Sequence, residues 1–114
     1  MPLGVLERFF RPLRRPRSTS RYPDGPTTIA PATRGLPELD ASRCDASATC
    51  VDVCPTGAIS LTPGAWTVDA GRCVFCAACA IACPRDAIRL GQRVELAAGT
   101  RDALHITTAI GERP

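Results

Sequence analysis

The hydrophobic residues of this chain fall into short runs that prolines, glycines and charged residues interrupt. Residues 5–10 place apolar side chains at helical spacing, which predicts one or two amphipathic helical turns. Residues 58–61 and 87–90 each predict a brief strand, and residues 66–68 predict another strand between them. No run approaches the roughly 20 apolar residues of a membrane span. The pattern therefore predicts short strands and short helices.

Three segments follow one another along the chain. Seven prolines in residues 1–39 exclude long helices there and favour an extended path. Near the other end, residues 93–96 alternate like a strand, and Thr100 is predicted to cap a short helix that runs through Ile110 and stops at Gly111. The predicted organisation is an Arg/Pro-rich docking arm (1–39), a central domain (40–91) and a C-terminal tail that packs on the domain or on a partner (92–114).

The central domain is an internal repeat. Residues 40–44 match residues 69–73, and residues 50–61 match residues 79–90 at the same offset. Self-similarity of this kind indicates two copies of one structural unit. Each copy is predicted to contain a cysteine loop, a helical turn that ends at Cys-Pro, and a brief strand.

The cysteines are the expected source of stability. The chain has 114 residues, seven of them cysteine, and few large apolar side chains. A core this small needs a disulfide, a metal or a partner surface. The pair Arg14–Arg15 is not followed by the apolar stretch of an export signal. We therefore expect a cytoplasmic chain, in which clustered cysteines bind metal.

The second copy carries the most specific motif of the sequence. Cys73, Cys76, Cys79 and Cys83, followed by Pro84, form C-x2-C-x2-C-x3-C-P. Three cysteines at this spacing wrap a loop around one iron–sulfur cubane, and the fourth reaches the other cubane of a two-cluster domain. A structural zinc site is the alternative, but zinc usually takes two paired C-x2-C arms.

The first copy lacks one cysteine. It contains Cys44, Cys50 and Cys54 followed by Pro55, with Ser47 at the position of the second cysteine. By the crossover rule, the ligands of the cluster in the second loop (the second cluster) are Cys54, Cys73, Cys76 and Cys79. Those of the cluster in the first loop (the first cluster) are Cys44, Cys50 and Cys83, with Ser47 at the fourth iron.

Three outcomes stay open at Ser47. The first cluster is a four-iron cluster with a serine or solvent ligand, a three-iron cluster that lacks this corner, or absent. Asp45 is near but at the wrong offset to replace the cysteine, and we interpret it as a solvated loop residue. His105 is expected at a surface or interface, and Trp66 in the core. No arrangement of catalytic residues occurs, so the chain is expected to have no catalytic site of its own.

The duplicated motif resembles bacterial-type two-cluster 4Fe-4S ferredoxins. The sequences within and around the motif point to a smaller group of these ferredoxins. The segments that carry this closer resemblance are residues 21–23, 34–38, 71–76 and 87–97. They are similar to the ferredoxin subunit of formate hydrogenlyase and related membrane-bound nickel–iron hydrogenases, and to the two-cluster subunit I of respiratory complex I. The resemblance covers roughly residues 20–105, and Ser47 departs from it.

The resemblance implies a ferredoxin-like α+β fold with a pseudo-two-fold repeat and two iron–sulfur clusters. One would be 4Fe-4S and the other 4Fe-4S or 3Fe-4S, held by the seven cysteines. It also implies an electron-relay subunit of a membrane-associated hydrogenase or complex-I-like oxidoreductase. The expected partners are the other subunits of that assembly, with peripheral membrane association through them at the cytoplasmic face of the inner membrane, and no nucleic acid.

Two other functions are compatible with the cysteine motif. One is a free soluble ferredoxin that shuttles electrons between enzymes, and the other is a structural metal-binding module without a redox role. The arm favours the relay, because its six arginines oppose a single acid, Glu7, over residues 1–21. A basic segment that cannot pack on its own domain is best explained by docking on a partner or on an anionic membrane surface.

Overall fold

The structure, a computed structural model, describes residues 3–14, 16, 19–26 and 28–111. These residues form two small antiparallel sheets and three short helices, joined by turns and loops. The helices are α1 (Leu3–Phe10), α2 (Thr49–Asp52) and α3 (Ala78–Ala82). The strands are β1 (Pro37–Leu39), β2 (Ile59–Thr62), β3 (Ala65–Asp69), β4 (Ile88–Leu90) and β5 (His105–Ala109). Single turns of 3-10 helix cover Arg11–Arg14 and Asp102–Leu104. None of these described helices is long and apolar enough to cross a membrane.

The two sheets repeat the same strand pairing. β2 pairs antiparallel with β3, and β1 pairs antiparallel with β4, which lies far away in the sequence. Each pair joins the strand that enters one copy of the repeat to the strand that leaves the other copy. The registers also agree, because Pro37 lies opposite Leu90 as Trp66 lies opposite Leu61. The duplicated sequence therefore folds with pseudo-two-fold symmetry, and the strands predicted at residues 58–61, 66–68 and 87–90 are confirmed.

Trp66 and Val68 form the centre of a small apolar core. Their side chains are 1% and 0% exposed, and they lie on the same face of β3 because side chains alternate along a strand. Buried residues from both copies of the repeat and from the segments before and after them complete this core, and they are Leu36, Ile59, Cys79, Ile88 and Ile110. The prediction that Trp66 packs in the core is confirmed.

The helix predicted over residues 100–110 is wrong. Only Asp102–Leu104 makes a helical turn, and β5 pairs antiparallel with the free edge of β3 along its whole length. Three β-branched residues in succession (106–108) fit a strand better than a helix. The hydroxyls of Thr67 and Thr107 lie 2.9 Å apart across this pair. β3 therefore gains a second partner strand, whereas β1 pairs with β4 alone among the described residues.

Asp69 fixes the end of this sheet. Its Oδ1 accepts a hydrogen bond from the Gly71 amide at 2.8 Å, and its Oδ2 accepts one from Arg101 Nη2 at 2.9 Å. Burial alone would raise the pKa of Asp69, but the Gly71 amide and the Arg101 guanidinium lower that pKa below its ordinary value. His105 is exposed, as expected, and its Nε2 lies 3.5 Å from Asp69 Oδ2.

Residues before and after the repeat meet beside β1. The predicted strand at residues 93–96 is not formed, but the Arg93 carbonyl accepts a hydrogen bond from the Leu36 amide at 3.1 Å. The Gly35 amide donates to the Gly91 carbonyl at 2.8 Å. A Cβ on Gly35 would lie 2.5 Å from that carbonyl oxygen and 2.7 Å from the carbonyl oxygen of Arg93. Only glycine fits at this close approach of two backbones.

The N-terminal arm reaches beyond the sheets. The predicted helix at residues 5–10 is confirmed as α1, which packs chiefly against the 3-10 turn that follows it. Closer to β1, the Tyr22 hydroxyl hydrogen-bonds the Glu95 carboxylate, which raises the pKa of Tyr22. The chain measures 83 × 29 × 25 Å along its principal axes, which is long for two sheets of this size.

We predict that Gly35→Ala destabilises the fold while Gly99→Ala does not. The new methyl at Gly35 meets only backbone atoms, which cannot move aside without separating β1 from the segment after β4. The expected loss is on the order of 1–3 kcal/mol. Gly99 is the matched control because nothing lies within 4 Å of its Cβ position. Thermal unfolding followed by circular dichroism measures both, and equal melting temperatures would contradict the packing described.

Candidate metal centre

Two cavities, one beside each cysteine loop, contain all seven cysteines. The sulfur-bearing residues that line the second site are Cys54, Cys73, Cys76 and Cys79. The corresponding residues of the first site are Cys44, Cys50, Cys83 and Ser47. The structure thus brings together the two sets of residues that the crossover rule predicts.

The crossover is visible in the mutual influence of the thiols. Burial is the main reason that the pKa of Cys73 is raised, and the neighbouring Cys54 raises it further. Burial likewise raises the pKa of Cys50, with contributions from Cys44 and Cys83. The last cysteine of each copy therefore lies among the cysteines of the other copy. The pseudo-two-fold pairing of the strands produces this exchange, because each copy's final turn leads into a strand of the opposite sheet.

The two loops share an unusual backbone conformation. Ala46 and Phe75 occupy equivalent positions and have φ of 57° and 55°, and Ala48 and Ala77 have φ of 59° and 69°. Left-handed φ is unfavourable for residues other than glycine and persists only where the surroundings impose it. Such residues help to form concave backbone surfaces that bind anionic groups, including iron–sulfur clusters. The first loop keeps this shape although it lacks one cysteine.

Backbone amides already donate to two of the sulfurs. Ala58 N–H donates to Cys54 Sγ and Ala87 N–H donates to Cys83 Sγ, each at 3.3 Å. Burial opposes ionisation of Cys54, but hydrogen bonds, the Ala58 amide foremost, outweigh it and lower the pKa of this thiol. Donors of this kind stabilise thiolate ligands. The sequence analysis missed both amides, and the repeated Cys-Pro-x-x-Ala is the signal that contains them.

Trp66 contributes a further donor that sequence reasoning missed. Its Nε1–H is buried and completes no hydrogen bond, yet it is close enough to Cys50 to lower the pKa of that thiol against the larger effect of burial. These two observations agree if the indole N–H faces the sulfur without reaching good geometry. Buried N–H groups without a partner are rare. A thiolate or cluster sulfur in the first site would satisfy this one, so the residues present fit an iron–sulfur cluster.

The burial of Cys79 and the arrangement of the sulfurs indicate which kind of metal centre these cysteines suit. Burial raises the pKa of Cys79 to about 11, so this thiol becomes a ligand only where bound metal stabilises the thiolate. In the part of the chain that the structure describes, no three Cys, His, Asp or Glu side chains converge on the position of a single metal ion. The cysteines instead line the walls of two cavities, four in the second site and three in the first, as expected for ligands that bind separate irons of a cubane.

Ser47 occupies the corner where the other loop has Cys76. Its Oγ lies 3.3 Å from Thr49 Oγ1, and its amide donates to Asp45 Oδ1 at 3.1 Å. Hydrogen bonds from the Ser47 hydroxyl and amide lower the pKa of the Asp45 carboxyl. Asp45 is exposed, as expected for a solvated loop residue.

At the equivalent corner of the second loop these side-chain oxygens are absent. Val74 and Ala78 stand there in place of Asp45 and Thr49. The two sites therefore share a backbone and differ in chemistry at one corner. Thr49 is a member of this corner that the sequence analysis did not single out.

Comparison with known proteins relates this chain to a family model and to solved structures. Residues 43–87 match the family model of the 4Fe-4S dicluster domain. The chain is also similar to a chain in the solved structure of the membrane-bound sulfane sulfur reductase, an archaeal respiratory membrane complex, with a TM-score of 0.62 and 31% sequence identity. The alignment covers 74% of this chain and 48% of that chain, so the present chain spans about half the length of the solved one. No curated protein sequence matches.

These findings confirm the ferredoxin-like α+β fold and support iron–sulfur clusters and iron–sulfur electron transfer.

We predict that Trp66→Phe lowers the reduction potential of one cluster and leaves that of the other unchanged. Loss of the N–H removes a donor that stabilises the more negative reduced state. A hydrogen bond of about 1 kcal/mol corresponds to a shift on the order of tens of millivolts for one electron. Potentiometric titration followed by electron paramagnetic resonance measures both potentials. Equal shifts at both clusters, or none, would show that Trp66 acts through packing alone.

Proposed function

We propose that this chain transfers electrons through two iron–sulfur clusters as a relay subunit of a membrane-associated oxidoreductase. The observation that supports this most strongly is the pair of cavities lined by cysteines from both copies of the repeat. The proposed ligands of the second cluster, a 4Fe-4S cluster, are Cys54, Cys73, Cys76 and Cys79. The proposed ligands of the first, 4Fe-4S or 3Fe-4S, are Cys44, Cys50 and Cys83. Each cluster supplies a site that accepts and releases one electron at a time.

The protein's own residues hold and tune these sites. The amides of Ala58 and Ala87 donate to one thiolate of each cluster, and the indole of Trp66 faces the first site. The buried side chains of β2, β3 and β4 keep water from the inner walls. The reduction potential of an iron–sulfur cluster depends on such hydrogen bonds and on the access of solvent to the cluster. The roles of these groups are to position the ligands and to set the potentials.

The two ends of the relay present different surfaces. In the second copy of the repeat, Val74, which lines the second site, and Ile81 are exposed apolar side chains. The equivalent residues of the first copy are Asp45, which lines the first site, and Asp52, and both are exposed carboxylates. An apolar surface and an acidic surface fit different neighbours, since electrostatic complementarity selects partners. This asymmetry supports passage of electrons between two partners rather than exchange with one.

The partners we propose are the other subunits of a hydrogenase or complex-I-like assembly at the cytoplasmic face of the membrane. The sequence resemblance and the similarity to a chain of a respiratory membrane complex support this. The arm supports it as well, because a free shuttle has no use for a basic segment that extends beyond its domain. The free ferredoxin is the second candidate, since the exposed surface beside each cluster would also serve brief encounters.

The number of clusters is tested by anaerobic iron and sulfide analysis after full reconstitution. The proposal predicts roughly two cubanes' worth of each per chain and the uptake of two electrons in a reductive titration. One cubane's worth would contradict it, and zinc without broad visible absorption would favour the structural module.

The relay role is tested by purifying the tagged full chain from gently solubilised membranes. A relay subunit carries its partner subunits at fixed stoichiometry, and those partners reduce or oxidise its clusters. A fully loaded chain that occurs alone in the soluble fraction would favour the shuttle.

We predict that the two clusters are unequal and that Ser47→Cys makes them similar. One iron of the first cluster faces a hydroxyl or water in place of a thiolate, so this iron is lost first on exposure to air. The product is a three-iron cluster with its own paramagnetic signal in the oxidised state. Ser47→Cys should suppress that signal and slow the loss of iron.

Ser60→Cys is the matched control for this experiment. It adds a thiol at an exposed position of β2, away from both cysteine loops, and should leave the loss of iron unchanged. If the wild type and Ser47→Cys lose iron at the same rate, the fourth corner is held in another way, and Asp45 is the first residue to test.

A further inference from the structure

Helix α1 carries an apolar face that is exposed. Val5, Leu6, Phe9 and Phe10 are all exposed, with Phe9 at 81%. At 3.6 residues per turn these four positions cover one arc of about 140°. Leu13, in the 3-10 turn that follows, is 78% exposed. Large apolar side chains that are contiguous and exposed mark a site of contact with another surface.

The charged residues lie on the opposite side of α1 and in the turn after it. Glu7 and Arg8 follow the helical spacing onto the side away from Phe9, and Arg11 and Arg14 belong to the 3-10 turn that follows α1. Residues 1–21 contain six arginines and one acid, whereas the rest of the chain has more acids than arginines. Positive charge is therefore concentrated where the apolar face is exposed.

We propose that α1 lies in the surface of an anionic lipid bilayer, with its apolar face among the acyl chains and its arginines at the lipid phosphates. A helix with one broad apolar face, aromatic residues on that face and arginine on the other has the composition of an interfacial helix. Anionic headgroups complement the arginines. An isolated helix of eight residues is marginal in water, so a surface that binds its apolar side also stabilises the helix.

This contact differs from membrane association through partner subunits, because the chain itself binds lipid. It does not depend on the relay role. Cluster content and partner stoichiometry test that role, and lipid binding by the isolated protein tests this one. The positions that carry it lie far from the cysteine loops in the sequence, so variants in α1 leave the clusters intact and the visible spectrum serves as the control.

The test is flotation of the cluster-bearing full chain with lipid vesicles. Vesicles of phosphatidylcholine with phosphatidylglycerol should bind the protein at least tenfold more tightly than vesicles of phosphatidylcholine alone. Added salt should weaken this binding. A chain that floats with neither kind of vesicle would overturn the proposal, and a protein groove would then be the occupant of the apolar face.

Two variants separate insertion from charge attraction. Phe9→Ser with Leu13→Ser should weaken binding to the anionic vesicles at least tenfold, while Val94→Ser, at another exposed apolar position, should not change it. Arg8→Gln and Arg11→Gln should each weaken binding about fivefold, with Arg34→Gln as the control. If the double serine variant binds as tightly as the wild type, the arginines act alone and the proposed insertion is wrong.

Phe9→Trp reports the position of the helix directly. Trp66 is 1% exposed and gives a constant background. The new indole should emit at shorter wavelength when anionic vesicles are added, because it leaves water for acyl chains. Emission that does not shift while the protein floats with the vesicles would place α1 outside the bilayer and overturn the proposal.

Discussion

The fold depends on the exchange of one cysteine between the two copies of the repeat. Cys54 leaves the first copy and lies in the second site, and Cys83 does the reverse. Each proposed cluster is thus a bond between the halves of the protein. The apolar core offers little alternative, since Trp66 and Val68 are its only large side chains that are fully buried among the described residues. Ordering each residue costs about 1–2 kcal/mol, and metal–thiolate binding supplies folding free energy to domains of this size.

The symmetry that produces the exchange also makes the departures from it informative. The cysteine loops share left-handed residues and the strand pairs share a register, so the backbone of the two sites has the same shape. The side chains are not equal. Ser47 replaces a cysteine, carboxylates replace apolar residues around the first loop, and β5 extends only one of the two sheets. The duplicated unit therefore has two chemically distinct ends, which is consistent with the proposed relay between two partners.

Sequence reasoning succeeded where the determining interactions are local. The cysteine spacing, the turns at Cys-Pro and the apolar spacing of α1 depend on neighbouring residues, and the repeat revealed the strands that follow each turn. It failed where the partner lies far along the chain. Residues 105–109 form a strand by pairing with the edge of β3, and residues 37–39 form a strand by pairing with β4. The residues of each segment do not by themselves reveal the distant strand with which it pairs. The Trp66 indole was missed because only the folded chain brings it near Cys50. The Ala58 and Ala87 amides lie four residues after their cysteines, so the repeated Cys-Pro-x-x-Ala was a local signal for them.

The crossover is tested most directly by comparing single cysteine substitutions through the paramagnetic signals of the two clusters. Cys54→Ala should alter the same signal as Cys76→Ala, although Cys54 belongs to the first copy. Cys83→Ala should alter the same signal as Cys44→Ala. If Cys54→Ala and Cys44→Ala instead disturb one common cluster, each copy keeps its own four ligand positions, and the account of the two halves joined by shared clusters is contradicted.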